Sequence, residues 1–189
     1  PQASINANIS GGGKETKYYV SVSHLSQDAA FRDYKYRRSN VQSNFETNIG
    51  KRMRACVNLS GRIDSKRNPA VSGADADDYS QPRNALLNLL PTERPYANDN
   101  PMYISATQVP EANWAGINYR NSGSYKYDLR VMQANMFAEY KSYYVPGLTG
   151  RVTYSYQMAD NTIDNFEYAY DAYTYNSDKD TYEKKAVNA

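Results

Sequence analysis

Long apolar runs, histidine and cysteine are almost missing from this sequence of 189 residues. No stretch approaches the roughly 18 apolar residues of a membrane-spanning helix, so no such helix is predicted. His24 is the single histidine and Cys56 the single cysteine. A disulfide framework within the chain and a multi-cysteine metal site are therefore excluded, and no Ser-His-Asp triad can be assembled around His24. We expect His24 to pack at an interface and Cys56 to be a packed or solvated thiol.

A strong charge of one sign is also lacking. The chain has 22 Lys and Arg against 20 Asp and Glu, a net charge of +2, and the two signs are intermixed. Without a basic stripe, nucleic acid is not expected as a partner. The acidic residues around Asp77 and around Asp180 lack the glycine and the spacing of an EF-hand loop. We predict no metal, no cofactor and no enzymatic activity.

Tyrosine is what the chain has in abundance, with 20 residues against 4 Phe and 1 Trp. A tyrosine ring is apolar at one end and wet at the other, which suits surfaces where an apolar medium meets water. A soluble protein of this composition would have few Leu, Ile and Phe side chains with which to form a hydrophobic core. The composition therefore favours a β-rich protein with wet interior surfaces.

Strict alternation of apolar and polar residues runs from Arg52 to Asp64. Its apolar positions are Met53, Ala55, Val57, Leu59, Gly61 and Ile63. Its polar positions are Arg52, Arg54, Cys56, Asn58, Ser60, Arg62 and Asp64. Successive side chains of a strand point to opposite faces, so the pattern predicts a strand with two different faces. It is longer than the usual five or six residues and reaches the roughly 9 to 11 that a strand of a transmembrane barrel needs.

Similar alternation recurs along the chain and predicts an all-β fold, an antiparallel up-and-down meander. The predicted strands are about 2–10, 17–27, 34–49, 52–64, 124–141, 150–158 and 165–175. The alternation is lost over 65–123, which we interpret as a long folded loop with a short helix from Ser80 to Pro91. The residues after Ser177 are expected to be loop or frayed. Short turns at one end of the strands and a long loop at the other are typical of outer-membrane barrels, whose long loops are extracellular.

The aromatic residues of the long loop are the candidate ligand-binding residues. Flat amphipathic rings stack on sugars or clasp peptides. The candidates are Tyr79, Tyr96, Tyr103, Trp114 and Tyr119. The alternative interpretation is that these rings only hold the long loop together.

Short motifs in a fixed order along the chain carry a resemblance to a known family. Ile9–Ser21 resembles the hairpin pattern S-G-G-x-x-x-T-x-Y-x-x-S, Arg37–Asn40 resembles K-R-x-N, and Val57–Gly61 resembles G-V-N-L-S. Asn98–Pro101 resembles N-x-N-P in a large loop, and Pro146–Gly150 resembles the end of a Y-x-x-P-x-L-x-G turn. Together these motifs are similar to those of the SusC-like family of TonB-dependent outer-membrane transporters.

The resemblance implies that the chain is an early part of a 22-stranded transmembrane β-barrel. The plug domain and the remaining barrel would then lie outside this sequence. The implied function is import of oligosaccharides or peptides across the outer membrane of a Bacteroidetes-type Gram-negative bacterium. The implied partners are a SusD-like surface lipoprotein, TonB acting through the plug, the rest of the same barrel, and membrane lipid and lipopolysaccharide. The alternative is a soluble tyrosine-rich β-sandwich that binds carbohydrate, whose apolar face would pack on a second sheet.

Overall fold

A computed structural model describes residues 1–70, 86–107 and 113–187. The strands in these ranges are β1 (Gln2–Gly12), β2 (Thr16–Asp28), β3 (Lys35–Ile49), β4 (Met53–Pro69), β5 (Gly123–Lys141), β6 (Thr149–Glu167), β7 (Tyr170–Asn176) and β8 (Thr181–Val187). A 3-10 turn at Ala97–Asp99 lies between β4 and β5. None of the helical segments in the described ranges is long and apolar enough to cross a membrane.

Strands β1 to β6 form one sheet in which each strand pairs with its neighbours in sequence. In the first hairpin, Ile9 lies opposite Val20 and Ile5 opposite His24. Strands β7 and β8 form a separate antiparallel pair. The prediction of an all-β, antiparallel up-and-down meander is confirmed, with six strands in the meander.

The six-stranded sheet has one apolar and one polar face, as the alternation predicts. A Cβ added at Gly61 would touch Val41 on the apolar face, whereas Arg54 bonds Glu46 on the polar face. Most of its large apolar side chains are exposed, from 38% at Met136 to 73% at Val152, whereas Val20 and Val57 are half-buried. The part of the chain that the structure describes therefore provides no second layer over this face.

The sixth strand corrects a boundary predicted from the sequence. Strand β6 was predicted over 150–158, with a loop at Asp160–Asp164 and a further strand over 165–175, but it continues to Glu167. The acidic residues that suggested a loop lie in the strand because Asp160 is 3.7 Å from Arg130 and Asp164 is 3.6 Å from Lys126, both on β5. Ion pairs across the sheet thus keep a polar stretch in the β-ladder.

The segment after Ser177 corrects a second prediction, because Thr181–Val187 forms a strand where a loop or frayed end was expected. Strand β8 pairs with β7, with Tyr175 opposite Tyr182. The Asn176 side-chain oxygen accepts hydrogen bonds from the backbone N–H groups of Asp178 and Lys179, at 3.1 and 3.3 Å. Such a side-chain turn reverses the chain within a few residues, and the charged residues around it are its solvated surface.

The chain divides into two compact units. Unit 1 comprises Pro1–Gln27, Tyr36–Ser65 and Tyr127–Thr162, and unit 2 comprises Asp28–Lys35, Lys66–Lys126 and Ile163–Ala189. Among the described residues, the buried side chains of unit 1 are Cys56 and Asp64. Those of unit 2 include Tyr34, Ala70, Ala97, Asn113, Ile117, Asn118 and Ala172. Unit 1 is therefore a sheet with little core of its own, and unit 2 is a packed body.

Buried asparagines organise the long loop in unit 2. The Asn113 Nδ2 group donates to the carbonyl oxygens of Pro95 at 3.0 Å and Ser105 at 2.7 Å, and its Oδ1 accepts from the N–H of Ala115. Such bonds satisfy backbone groups that neither helix nor sheet satisfies. The described part of the loop around Asn113 is thus held in place by hydrogen bonds. Residues 86–88 are helical, and the predicted start of that helix at Ser80 lies outside the described residues.

Candidate functional site

The polar face of unit 1 carries a band of amide and hydroxyl side chains. The Nδ2 group of Asn40 on β3 donates to Ser23 on β2 at 3.0 Å. Further along the sheet, the hydroxyl of Ser60 on β4 donates to Gln133 on β5 at 3.4 Å. These bonds between neighbouring strands limit the rotation of side chains that can still donate and accept further hydrogen bonds.

A cavity of about 520 Å³ opens on this band. Its polar lining includes Ser21, Asn40, Gln42, Ser60, Gln133 and Gln157. Among the described residues that line it, Arg62 alone carries a charge. A smaller cavity of about 290 Å³ continues along the band beside Asn58 and Asn135. This surface suits an uncharged polar molecule and has one cationic corner.

The cationic corner is built around the carboxylate of Asp64, whose side chain is only 8% exposed. Its Oδ1 accepts from Arg38 Nε at 2.6 Å and from the Tyr36 hydroxyl at 2.8 Å, while its Oδ2 lies 3.0 Å from Arg62 Nε. The guanidinium of Arg38 also lies 5.4 Å from the centre of the Tyr36 ring. One carboxylate therefore faces two guanidinium groups, and the cluster carries a net positive charge.

A second charged group lies closer to the β3–β4 turn. Arg54 makes a two-pronged contact with Glu46, at 3.1 and 3.0 Å. The ring of Phe137 is approached by Arg54 at 5.6 Å and by Arg151 at 4.0 Å. The neutral band thus lies between two groups of charged residues along β3 and β4.

The candidate aromatic residues of the long loop fall into two clusters, and Tyr79 lies outside the described residues. In one cluster, Trp114 meets the edge of Phe31 at 4.9 Å and stacks at 6.5 Å on Tyr34. Tyr119 belongs to the same region, since its N–H donates to the side chain of Asp33 at 3.2 Å.

The other cluster surrounds the β7–β8 hairpin. The Tyr103 ring stacks on Tyr182 at 3.9 Å and meets the edge of Tyr173 at 5.0 Å. Tyr96 pairs with Ile104 through a backbone bridge. The described candidates are thus engaged with other parts of unit 2, which agrees with the alternative that they hold the loop together. A role in ligand binding stays a prediction.

The cluster around Asp64 is a part of the site that the sequence pattern does not predict. Alternation alone places Tyr36, Arg38, Arg62 and Asp64 on polar faces, but the register between β3 and β4 decides which of them meet. The signal in the sequence is a charged pair at the same end of two neighbouring predicted strands.

Two buried phenols lie beside the first aromatic cluster. In the part of the chain that the structure describes, neither the Tyr34 nor the Tyr119 hydroxyl has a hydrogen-bond partner. Burial, and secondarily the nearby Tyr119, raises the pKa of Tyr34 to about 12. Burial also raises the pKa of Tyr119, and Asp33 adds to that increase. Both phenols therefore stay neutral at physiological pH.

Tyr34→Phe should leave stability at pH 7 unchanged or increase it by up to about 1 kcal/mol, because it removes a buried hydroxyl without a partner. Tyr34 in the unfolded chain ionises near its usual pKa of 10.0, whereas in the folded chain it stays neutral up to about pH 12. The parent should therefore lose up to about 2 kcal/mol relative to the variant as the pH rises through this window.

Urea unfolding followed by Trp114 fluorescence measures this difference, since that ring stacks on Tyr34. The matched control is Tyr144→Phe, because Tyr144 is 88% exposed. It should show no such dependence on pH. A difference between Tyr34→Phe and the parent that stays constant from pH 9 to 12 would contradict the assignment.

The single histidine and the single cysteine each lie beside a polar side chain. Over residues 1–70, 86–107 and 113–187, no group of three or more His, Cys, Asp or Glu side chains is placed to hold a metal ion. His24 Nδ1 lies 2.9 Å from the Ser39 hydroxyl. Cys56 is buried, with its sulfur 3.5 Å from Asn58 Oδ1.

No family model matches the chain, and a search of curated proteins finds no match.

Proposed function

We propose that the chain is a wall segment of a SusC-like TonB-dependent transporter in the outer membrane of a Gram-negative bacterium. The complete protein imports oligosaccharides or peptides with a SusD-like lipoprotein as its lid. Energy comes from TonB through a plug domain outside these residues. The six-stranded sheet contributes an early part of the 22-stranded barrel, with the long loop on the extracellular side. No catalytic step is assigned to it.

The exposed apolar face of the long meander is the observation that carries the proposal. Strands β5 and β6 have 19 residues each, far more than the usual five or six of globular proteins. Their side chains alternate as those of a membrane barrel do, apolar towards lipid and polar towards the lumen. Exposed apolar patches of this extent mark surfaces that meet lipid or another protein.

The soluble sandwich remains the second candidate, and the β7–β8 pair is the observation that favours it, because it is a second sheet. A sandwich buries the apolar face of each sheet against the other. The exposure of Ile5, Ile9 and Val152, at 71%, 60% and 73%, supports the barrel wall instead.

Spin labels along β4 test the wall directly. In a Cys56→Ser background, single cysteines at Val57, Leu59 and Ile63 should be accessible to oxygen, which concentrates in lipid. Cysteines at Asn58 and Ser60 should instead be accessible to a water-soluble nickel chelate. The expected accessibility has a period of two residues, with opposite phases for the two reagents.

The same labels separate the two candidates. In a sandwich, the apolar positions of β4 would be protected from oxygen and from the nickel chelate alike. That result, or accessibility without a two-residue period, would contradict the wall assignment. The labelled chain in detergent micelles, without lipid, provides the reference for each position.

A further inference from the structure

We propose that the cavity beside Arg62 binds an acidic oligosaccharide, with a sugar carboxylate against the Arg62 guanidinium. The proposal rests on the transporter assignment and narrows its substrate class from oligosaccharides or peptides in general to glycans that contain uronic acid. The residues that line the cavity all belong to unit 1.

The charge of the cavity comes from Arg62. Its Nε is occupied by Asp64, and its side chain is 43% exposed, so the terminal nitrogens remain available to a ligand. Arg38 is held by the same carboxylate through its own Nε. Because one carboxylate cannot neutralise two guanidinium groups, an additional anion is favoured here. A planar guanidinium fixed at one nitrogen is well placed to receive a carboxylate with two parallel hydrogen bonds.

The rest of the lining favours a sugar over a peptide. Asn40, Gln42, Gln133 and Gln157 each offer a donor and an acceptor, and the serines do the same. Adjacent hydroxyl groups of a pyranose ring also donate and accept, so they match such a surface. A peptide with apolar side chains would need apolar pockets, and Val131 is the apolar residue of the lining apart from Val41, whose side chain lies on the opposite, apolar face.

The size of the cavity fits a short oligosaccharide. Its volume of about 520 Å³ lies within the range of roughly 300 to 1,000 Å³ typical of small-molecule sites. The adjoining cavity of about 290 Å³ extends the same uncharged surface beside Asn58 and Asn135. One sugar residue with its carboxylate at Arg62 could therefore be followed by neutral contacts along the band.

Titration calorimetry on the full chain in detergent micelles tests the proposal with a matched pair of ligands. Trigalacturonate carries a C6 carboxylate on each of its three sugar residues, whereas galactotriose carries a hydroxymethyl group there. At one fixed salt concentration, trigalacturonate should bind at least about 10-fold more tightly, as expected for one charge-assisted hydrogen-bonded pair. Arg62→Gln should abolish this preference, whereas Arg62→Lys should keep part of it.

The matched control is Arg130→Gln, since Arg130 is paired with Asp160 and is not among the lining residues. It should leave the preference unchanged. Equal affinity of the parent for both sugars, or an unchanged preference in Arg62→Gln, would overturn the proposal. Equally tight binding of a capped tri-aspartate peptide or of inorganic sulfate would show a general anion site and would also overturn it.

Failure of this proposal is distinguishable from failure of the transporter assignment. Binding is measured in micelles, whereas the spin-label experiment measures contact of the apolar face with lipid. If the spin-label accessibility has a two-residue period but trigalacturonate is not preferred, the acidic-ligand proposal is overturned and the barrel-wall assignment stands. If the spin-label accessibility has no two-residue period but the preference for trigalacturonate is preserved, the barrel-wall assignment is overturned. The acidic sugar site then belongs to a soluble protein.

Discussion

Gly123→Ala should destabilise unit 2 by at least about 3 kcal/mol, placing it among the most damaging single substitutions. Gly123 has a φ of +94°, and an added Cβ would overlap the backbone carbonyl of Phe166 and lie 3.1 Å from Glu167 Cα. Backbone atoms cannot move aside as a flexible side chain can. The hydrogen bond from Ala70 N–H to the Gly123 carbonyl, 3.1 Å long, would be disturbed as well.

A second glycine separates the effect of backbone strain from that of the overlap. Gly147 also has a positive φ, +84°, but a Cβ there would meet nothing within 4 Å. Gly147→Ala should therefore cost only about 1 kcal/mol, the usual penalty for a left-handed backbone. Urea unfolding followed by far-UV circular dichroism compares the two variants, because it reports on the strands of both units. Equal losses of stability in the two variants would show that the overlap with the Phe166 carbonyl adds nothing to the cost of Gly123→Ala.

Leu59→Arg should destabilise the protein by about 2 to 4 kcal/mol in a bilayer, the cost of a lipid-facing charge near the centre of an outer-membrane barrel. Leu59 lies on the apolar face of β4 and is 44% exposed. The proposed wall places this side chain in lipid, where a guanidinium has no hydrogen-bonding partners. Unfolding of the protein in lipid vesicles by guanidinium chloride measures the loss.

The neighbouring residue provides the control for Leu59→Arg. Asn58 lies on the opposite face of the same strand and lines the smaller polar cavity. Asn58→Arg should change stability by less than about 1 kcal/mol, since an arginine there faces water. Normal folding of Leu59→Arg without detergent or lipid would contradict the barrel assignment, because a soluble protein would then tolerate the charge.

The strands could be predicted from the sequence wherever one face is apolar and the other polar. Alternation decides which residues share a face, and in β4 it separates Leu59 from Asn58. It failed in β6, where Asp160 and Asp164 interrupt the apolar phase and were interpreted as a loop. Their partners, Arg130 and Lys126, are about thirty to forty positions away in the sequence. A local sequence pattern cannot predict contacts between residues that are so far apart in the chain.

The site and the loop depend still more on distant contacts. Asn113 is buried because two carbonyl groups, those of Pro95 and Ser105, converge on its amide. Nothing in the residues around Asn113 announces such a role. The same holds for Asp64, whose cluster depends on the alignment of β4 with β3. The sequence predicts that these positions are polar, but it does not predict the hydrogen-bond partners through which Asn113 and Asp64 stabilise the structure.

The length of the apolar face of β4 indicates the thickness of the bilayer that the proposed wall matches. Met53 and Ile63 are ten residues apart, and at about 3.3 Å per residue they lie about 33 Å apart along the strand. With the tilt of roughly 40° common in such barrels, the projection on the membrane normal is about 25 Å, the usual height of their apolar band. The proposed wall is therefore matched to a thin bilayer, and thicker lipids would have to compress around it.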